Sequence, residues 1–341
     1  MRGRRIRIKD LADRLSLSTS TVSRALAGHS DVSAETRQLV NQLADELNYY
    51  PDPIAVNLKQ RKSNVIGLIV PNIDNRFFAK ALTGIQQVVS QHAYNIITSQ
   101  SNESLEIEKK NVEVMMANRV DGLIVSLARE TINAQHFNKI LNTDTPIVFF
   151  DRVNEGLDTS KVVIDDYEAS YKAVKHLIDE GCRRIAHIAG PPNLFNSRKR
   201  LEGYKDAIRD HDLYLDKRLI IFASNYQQDA KPYTKSLLSL NSPPDGIFAL
   251  NDRSAIQIMY YIKQEGLKIP QDIAIVGFNN NELSQYFDPP LSSVESPAEE
   301  LGQSAAELLF KHIENENLPP SSKVIKSNLI VRDSSLRSKY L

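Results

Sequence analysis

Five residues with hydrogen-bonding side chains lie within six positions near the start of the chain: Thr19, Ser20, Thr21, Ser23 and Arg24. Small hydroxyl side chains allow a helix to enter the major groove of duplex DNA and bond phosphates, and an arginine can make a bidentate bond to guanine. Serine and threonine are mediocre helix formers, so such a dense hydroxyl cluster indicates DNA reading. The alternative interpretation is an ordinary polar helix face.

A second group of polar and aromatic residues follows the ends of predicted strands in the rest of the chain. Ligands of parallel α/β sheets bind at the carboxyl ends of the strands. Aromatic faces with arginine, aspartate and asparagine suit a polyhydroxylated or anionic small molecule. The alternative is that these are plain turn residues, where aspartate and asparagine belong anyway. The candidates are Phe77, Phe78, Asp151, Arg198, Asn251, Asp252 and Asn279.

Motifs that would indicate catalysis are missing from the sequence. It contains no GxxxxGK[ST] phosphate loop, no GxGxxG after the first predicted strand, and no HExxH, CxxC or GxSxG. Seven scattered histidines and the single cysteine, Cys182, offer no convincing set of metal ligands. We therefore predict no catalytic residues, no metal and no cofactor, and expect that the protein is not an enzyme.

The candidate DNA-reading residues require a small helical head, predicted over residues 1–50. Leu11, Ala12 and Leu15 have helical spacing, Ser18 or Thr19 can cap a second helix, and Ser33 can cap a third. Three helices of this size bury little surface, so the head is marginal on its own. Residues 1–62 hold 11 Lys/Arg and 7 Asp/Glu, whereas the remainder holds 31 and 35. A basic head on an acidic body favours a polyanionic partner, although a solvated surface bias would look the same.

Residues 51–62 form a predicted hinge helix or linker. Asp52 can cap it and Pro53 suits the first helical position, but so short a segment is not helical in isolation. Leu58 and Lys59 pair an apolar wedge with a cation, the combination of proteins that pry open minor-groove steps. A plain linker is the equal alternative.

From residue 65 onward, apolar strand runs alternate with helical runs, which predicts an α/β body with parallel sheets covered on both faces. The number of strands favours two similar lobes. We assign residues 63–163 plus about 293–327 to the N-terminal lobe, and 164–292 plus about 328–341 to the C-terminal lobe.

The sequence also bears on location. No apolar run of signal-peptide length follows the basic N-terminus, and no window approaches the roughly 20 apolar residues of a membrane span. A single cysteine suits a reducing compartment. We expect a cytoplasmic protein without a membrane partner.

The chain resembles the lac repressor / galactose repressor (LacI/GalR) family of bacterial transcription regulators over nearly its full length. The motifs that carry the resemblance are IKDLADRLSLSTSTVSRALAG, VSAETRQLV, ELNYYPDPIAVNLK, VIGLIVPNIDNRFF, RRIAHIAGP, RKRLEGY, FALNDRSA, IAIVGFNNNELSQYFDPPLSSVESP and LGQSAAELL.

The resemblance implies a homodimer whose helix-turn-helix heads read a palindromic double-stranded operator. It places Thr19 and Ser20 at variable base-reading positions, Arg24 at a base contact, and Thr21 and Ser23 at phosphates. Leu58 matches a leucine that intercalates in the minor groove, and Lys59 matches a hinge lysine.

The resemblance further implies a two-lobed body similar to periplasmic sugar-binding proteins. A small-molecule effector of the sugar class, bound between the lobes, would shift the dimer geometry and order or release the hinges. Arg198 matches the cleft arginine, Phe77 and Phe78 match effector-flanking positions, and Asn251 and Asp252 match a cleft pair.

This sequence departs from the family pattern at three positions. Arg7 stands where a capping Thr or Ser is usual, a loss of about 1 kcal/mol. Ser16 stands where a turn glycine is common, and Asn279 replaces a frequent aspartate that holds sugar hydroxyls or a purine.

The resulting interpretation is an effector-controlled repressor of carbohydrate-related genes. Three rivals remain at this point: a solute-binding protein without gene control, a sugar-processing enzyme, and a DNA-binding regulator whose body binds a partner protein or a corepressor. The basic head and the missing catalytic motifs argue against the first two.

Overall fold

A computed structural model describes residues 6–49, 62–223 and 229–340 of the chain. The chain forms two compact units, Met1–Ser63 and Asn64–Leu341, which we call the head and the body. The predicted hinge residues Leu58 and Lys59 lie outside the described residues.

Residues 6–49 of the head form three helices, α1 (Ile8–Leu15), α2 (Thr19–Leu26) and α3 (Ala34–Glu46). Apolar residues at helical spacing place one face of each helix in a common core. The fully or nearly buried apolar residues of this core are Leu11, Ala12, Val22, Ala25, Val32, Val40 and Ala44.

Helix ends in the head follow the sequence closely. Ser18 accepts from the amide of Thr21 at 3.1 Å, so it caps α2. Arg7 supplies no side-chain cap to α1, but its own backbone amide donates to the Asp10 carboxylate at 2.7 Å. Ser16 ends α1 with φ 54° and ψ 38°. This left-handed conformation costs a residue other than glycine about 1 kcal/mol.

The first lobe of the body is built on a six-stranded, all-parallel sheet in the order β11-β5-β4-β3-β1-β2. Its central strands are apolar and almost wholly buried, as expected for a parallel sheet covered on both faces. The strands are β1 (Val65–Val70), β2 (Asn95–Gln100), β3 (Gly122–Val125), β4 (Ile147–Phe150), β5 (Ser160–Ile164) and β11 (Ser322–Ile325). The helices are α4 (Arg76–Gln91), α5 (Leu105–Ala117), α6 (Asn138–Leu141) and α11 (Ala298–Glu314).

The second lobe repeats the plan with the strand order β12-β10-β9-β8-β6-β7, in which only β12 pairs antiparallel. Its strands are β6 (Ile185–Ala189), β7 (Ile220–Phe222), β8 (Gly246–Phe248), β9 (Ala274–Asn279), β10 (Ser292–Glu295) and β12 (Leu329–Ile330). Its helices are α7 (Asp166–Asp179), α8 (Phe195–Asp210), α9 (Lys231–Leu238) and α10 (Asp252–Gln264).

The chain passes between the two sheets three times. It leaves the first sheet after β5, returns after β10, and leaves again between β11 and β12. The boundary proposed near residue 293 differs from the structure, because Ser292–Glu295 is paired with β9 in the second sheet along its whole length. The return to the first lobe therefore comes after Glu295.

Close packing fixes the helix that carries two candidate site residues. A Cβ atom on Gly84 of α4 would lie 2.0 Å from the carbonyl oxygen of Glu299, and one on Gly302 of α11 would lie 2.1 Å from that of Ala81. Only glycine permits this approach of the two helix backbones.

Among the residues that the structure describes, no helix is long and apolar enough to cross a membrane.

Candidate functional site

The head presents the predicted DNA-reading residues on one side of α2. Thr19, Ser20 and Arg24 are exposed, and Thr21 and Ser23 are half-buried. Val22 and Ala25 lie on the opposite face, in the core of the head. The structure therefore brings together all five residues, because the buried positions leave only this face of the helix to solvent.

Three hydroxyl groups lie within hydrogen-bonding distance of one another at the start of α2. The Ser18 hydroxyl lies 2.8 Å from the hydroxyls of both Ser20 and Thr21. These hydroxyls can rotate between bonding one another and bonding a phosphate. The N-terminus of the helix, with its free amides, adds a favourable potential for an anion.

Arg24 does not point freely into solvent. Its Nη1 atom lies 2.7 Å from Oδ2 of Asp31, in the turn that follows α2, and the two side chains are 44% and 53% exposed. An ion pair this exposed contributes little to stability, so it can open readily when another anion offers itself.

The body contains a cavity between its two lobes, with a free space of ≈ 640 Å³ including the open mouth. The ends of parallel strands and the starts of the following helices surround it, as expected for this fold. Five candidates line it: Phe77, Phe78, Asp151, Asn251 and Asn279. The other lining residues are Asn75, Glu103, Arg129, Arg152, Pro191, Leu194, Asn196, Ser197, Arg200 and Leu250.

The aromatic part of the cavity is rigid. The Phe77 and Phe78 rings meet edge to face with centroids 5.2 Å apart, and Phe78 is packed against Phe150 in the same way at 6.3 Å. The Arg152 guanidinium lies 5.6 Å from the centroid of Phe78. Phe77 and Phe78 thus form an apolar wall that a sugar ring can pack against.

Two carboxylates in the first lobe lie beside arginine groups. The Glu103 Oε2 atom accepts from Arg152 Nη1 at 2.6 Å and from the backbone amide of Arg129 at 2.8 Å. Asp151 accepts from the side chain of Asn196, which reaches across from the second lobe, at 3.2 Å. Burial raises the pKa of Asp151, and the neighbouring Arg152 and Arg200 partly oppose that rise.

Arg200 is the arginine that the second lobe contributes to the cavity. Its Nε atom lies 2.7 Å from Oδ1 of Asp166, its Nη1 atom donates to the carbonyl of Leu250 at 3.2 Å, and its guanidinium carbon lies 3.5 Å from the centroid of Phe278. Burial raises the pKa of Asp166 to about 6, although the adjacent Arg200 lowers it. These contacts hold the guanidinium in one plane and leave its remaining edge for a ligand.

The structure does not bring Arg198 into the cavity. Its Nη2 atom lies 2.5 Å from Oε2 of Glu155, and its Nη1 atom donates to the carbonyl of Asn193, both at a neighbouring recess. Residues two apart on a helix differ by about 200° around its axis, so α8 directs Arg198 and Arg200 to nearly opposite sides. The assignment of the cleft arginine to Arg198 is thereby corrected to Arg200.

Asp252 does not line this cavity but lines a second cavity that adjoins it and shares Asn75, Phe77, Asn251 and Asn279 with it. Its carboxylate accepts from the backbone amide of Asn281, from the hydroxyl of Ser284 at 2.8 Å, and from that of Ser293 at 2.5 Å. Burial raises its pKa to about 6, and these hydrogen bonds lower it in part. Asp252 therefore holds the loop after β9. Asn279, the last residue of β9, has a φ of 93°, and its side chain accepts from the Ser296 hydroxyl at 2.9 Å.

The sequence interpretation missed Glu103, Arg129, Asn196 and Arg200. A signal existed for Glu103, which follows β2 as the other candidates follow their strands. Arg200 lies within the RKRLEGY motif, but the motif does not show which side of α8 faces the cavity. No cluster of three or more metal-ligating side chains occurs among residues 6–49, 62–223 and 229–340.

A helical head with a polar, basic recognition face and a two-lobed body with a central cavity define a DNA-binding regulator with a ligand-binding body. Comparison with known proteins agrees with this class. Residues 7–52 match the bacterial regulatory proteins of the lacI family, and residues 174–335 match the periplasmic binding protein-like domain.

The similarity to individual proteins extends over nearly the whole chain. The HTH-type transcriptional repressor CytR of Escherichia coli (strain K12) is 31% identical over 96% of this chain and 96% of its own length. The ribose operon repressor of Haemophilus influenzae is 33% identical over 96% of this chain and 98% of its own length. The structure of the transcriptional regulator CelR in complex with cellobiose superposes with a TM-score of 0.74 and 26% identity, covering 97% of this chain and 100% of that one.

The chain therefore belongs to the lacI family of bacterial regulatory proteins. Members of this family are transcription regulators, and this chain is a DNA-binding regulator and not an enzyme.

Proposed function

We propose that the protein is a repressor whose affinity for its operator depends on whether the cavity in its body is empty or holds a ligand. The observation that carries this proposal is the cavity between the lobes, where a fixed guanidinium, two carboxylates and two phenylalanine rings converge. Such a combination suits a polyhydroxylated ring, which offers hydroxyls to the polar groups and an apolar face to the phenylalanines. The cellobiose complex of CelR supports a sugar or sugar derivative as the ligand.

On the DNA side, Arg24 and the hydroxyls of α2 are proposed to read base edges and phosphates, with Leu58 and Lys59 acting at the minor groove. The functional unit is a homodimer, because two heads on a symmetric dimer match a palindromic operator. Since its target is bacterial DNA, the protein acts in the cytoplasm. Coupling between the cavity and the heads runs through the dimer geometry.

The first test measures operator binding and the response to a ligand in one assay. A selected operator duplex is titrated with the full-length protein in fluorescence anisotropy, with and without each compound of a set of neutral sugars. We expect one compound to change the operator dissociation constant by at least about fivefold, the lower range of allosteric coupling. Arg200→Ala should keep operator binding and lose this response, because it removes the fixed guanidinium.

Lys199→Ala is the matched control for Arg200→Ala. Lys199 is the neighbouring cation on α8, pairs with Glu202 at 2.8 Å and does not line the cavity. It should respond to the ligand like the native chain. A full response in Arg200→Ala would remove this residue from the effector site, and a protein that ignores every DNA duplex would contradict the proposal as a whole.

A further inference from the structure

Asp166 makes an unusual contribution to the cavity, because it does not line it. It lies at the start of α7, is only 3% exposed, and forms an ion pair with Arg200 from behind the cavity wall. Arg200 is itself only 8% exposed. The carboxylate therefore orients the guanidinium that the cavity presents, and the ion pair as a whole carries no net charge.

The charged groups around the cavity balance only when Asp166 is included. Three guanidinium groups, Arg129, Arg152 and Arg200, and two carboxylates, Glu103 and Asp151, line the cavity. Asp166 supplies the third carboxylate. Without it, the walls would carry one positive charge in excess and would favour an anion.

A balanced, buried set of charges disfavours a charged ligand. A phosphate monoester brings about two negative charges at neutral pH, and these would enter a low-dielectric site where Arg152 and Arg200 already pair with carboxylates. An uncharged ligand needs only hydrogen bonds. Glu103 Oε1 offers one, because it is buried and has no hydrogen-bond partner among the described residues, so it can accept from a ligand hydroxyl.

We infer that Asp166 is a specificity-determining residue, which neutralises and orients Arg200 so that the cavity selects uncharged polyhydroxy compounds over their phosphorylated forms. This inference rests on the proposed function for its ligand site. It concerns the selectivity of the site, which can be measured without knowing the natural effector.

The test uses inorganic phosphate and two sugar pairs, ribose with ribose 5-phosphate and glucose with glucose 6-phosphate, as probes of the full-length chain. Binding is measured by calorimetry and thermal shift for native protein, Asp166→Asn and the matched control Asp165→Asn, which removes the adjacent carboxylate. We expect Asp166→Asn to bind inorganic phosphate at least about tenfold more tightly than the native chain. The variant removes a negative charge that lies 2.7 Å from the Arg200 guanidinium and would repel the phosphate. Asp165→Asn should change phosphate affinity less than twofold.

The gain must depend on Arg200, so it should disappear in the double variant Asp166→Asn with Arg200→Ala. Asp166→Ser provides a second neutral variant, and circular dichroism establishes that each variant is folded. Equal phosphate affinity in native, Asp166→Asn and Asp166→Ser proteins, or a native chain that prefers the phosphorylated member of a pair, would overturn the inference. Failure of every small molecule to alter operator binding would instead contradict the proposed function and leave this phosphate result standing on its own.

Discussion

At the scale of single residues, Arg24, the arginine proposed to read bases, is paired with a carboxylate. The Asp31 carboxylate lies 2.7 Å from Nη1 of Arg24. Operator binding must break this contact before the guanidinium can reach a guanine edge. The carboxylate also lies near the face that would meet phosphates, where it is repelled.

We predict that Asp31→Asn tightens operator binding by about 1.4- to fivefold, which corresponds to the 0.2–1 kcal/mol of an exposed ion pair. Fluorescence anisotropy with the operator duplex measures the change. Asp13→Asn, at an exposed acidic residue of α1, controls for loss of a negative charge from the head. The gain should largely vanish in an Arg24→Ala background, and a gain that persists there would show that Asp31 acts by repulsion alone.

At the scale of secondary-structure elements, the lobes are joined across the mouth of the cavity by side chains of α8 and the loops before it. Arg198 pairs with Glu155 of the first lobe, and the Asn193 amide donates to the carbonyl of Arg129 at 2.6 Å. Arg198 and Glu155 lie at a recess beside the cavity rather than in its lining. They therefore stabilise the arrangement in which both lobes contact a bound molecule.

We predict that Arg198→Glu and Glu155→Arg each raise the effector concentration for half-maximal response by about two- to fivefold, since each places like charges across the mouth. The charge-swapped double variant should return close to the native value, because the attraction is restored in reverse. The operator anisotropy assay measures both. A double variant as weak as the sum of the single ones would contradict a direct pairing role.

The elements themselves could be predicted from the sequence, because strand and helix periods are local patterns. The αL conformation of Ser16 could be anticipated in the same way, from a serine in a glycine position. The orientation of α8 could not be predicted from the sequence. Which side of α8 (Phe195–Asp210) faces the cavity depends on how the helix packs on the second lobe, and motif matching alone chose Arg198. The Arg200–Asp166 pair also joins residues 34 positions apart, beyond the reach of any local pattern.

At the scale of the whole molecule, the body keeps ionisable groups buried behind its cavity, and this links its stability to pH. Burial raises the pKa of Asp252 to about 6 in the folded chain, above its ordinary value of 3.8. Between about pH 4 and 6 the folded state therefore holds a proton that the unfolded state has lost. Stability from this group increases as the pH falls through 6.

We predict that acidification from pH 7 to pH 5 stabilises the native body more than an Asp252→Asn body, by about 1 kcal/mol. Urea unfolding at both pH values measures the free energies. The exposed Asp144→Asn serves as the control for a lost carboxyl group, and it should follow the native pH dependence. An Asp252→Asn variant that gains as much stability as the native chain would place the titrating group elsewhere.

The three passages of the chain between the sheets have a consequence for how the body can be divided. Neither lobe is a continuous stretch of polypeptide, since β11 and α11 return to the first lobe after most of the second has been made. A gene fragment ending at any one position would encode an incomplete sheet. A single proteolytic cut in one connection would likewise leave the two lobes linked by the other two connections. The two lobes therefore have to be produced and degraded together.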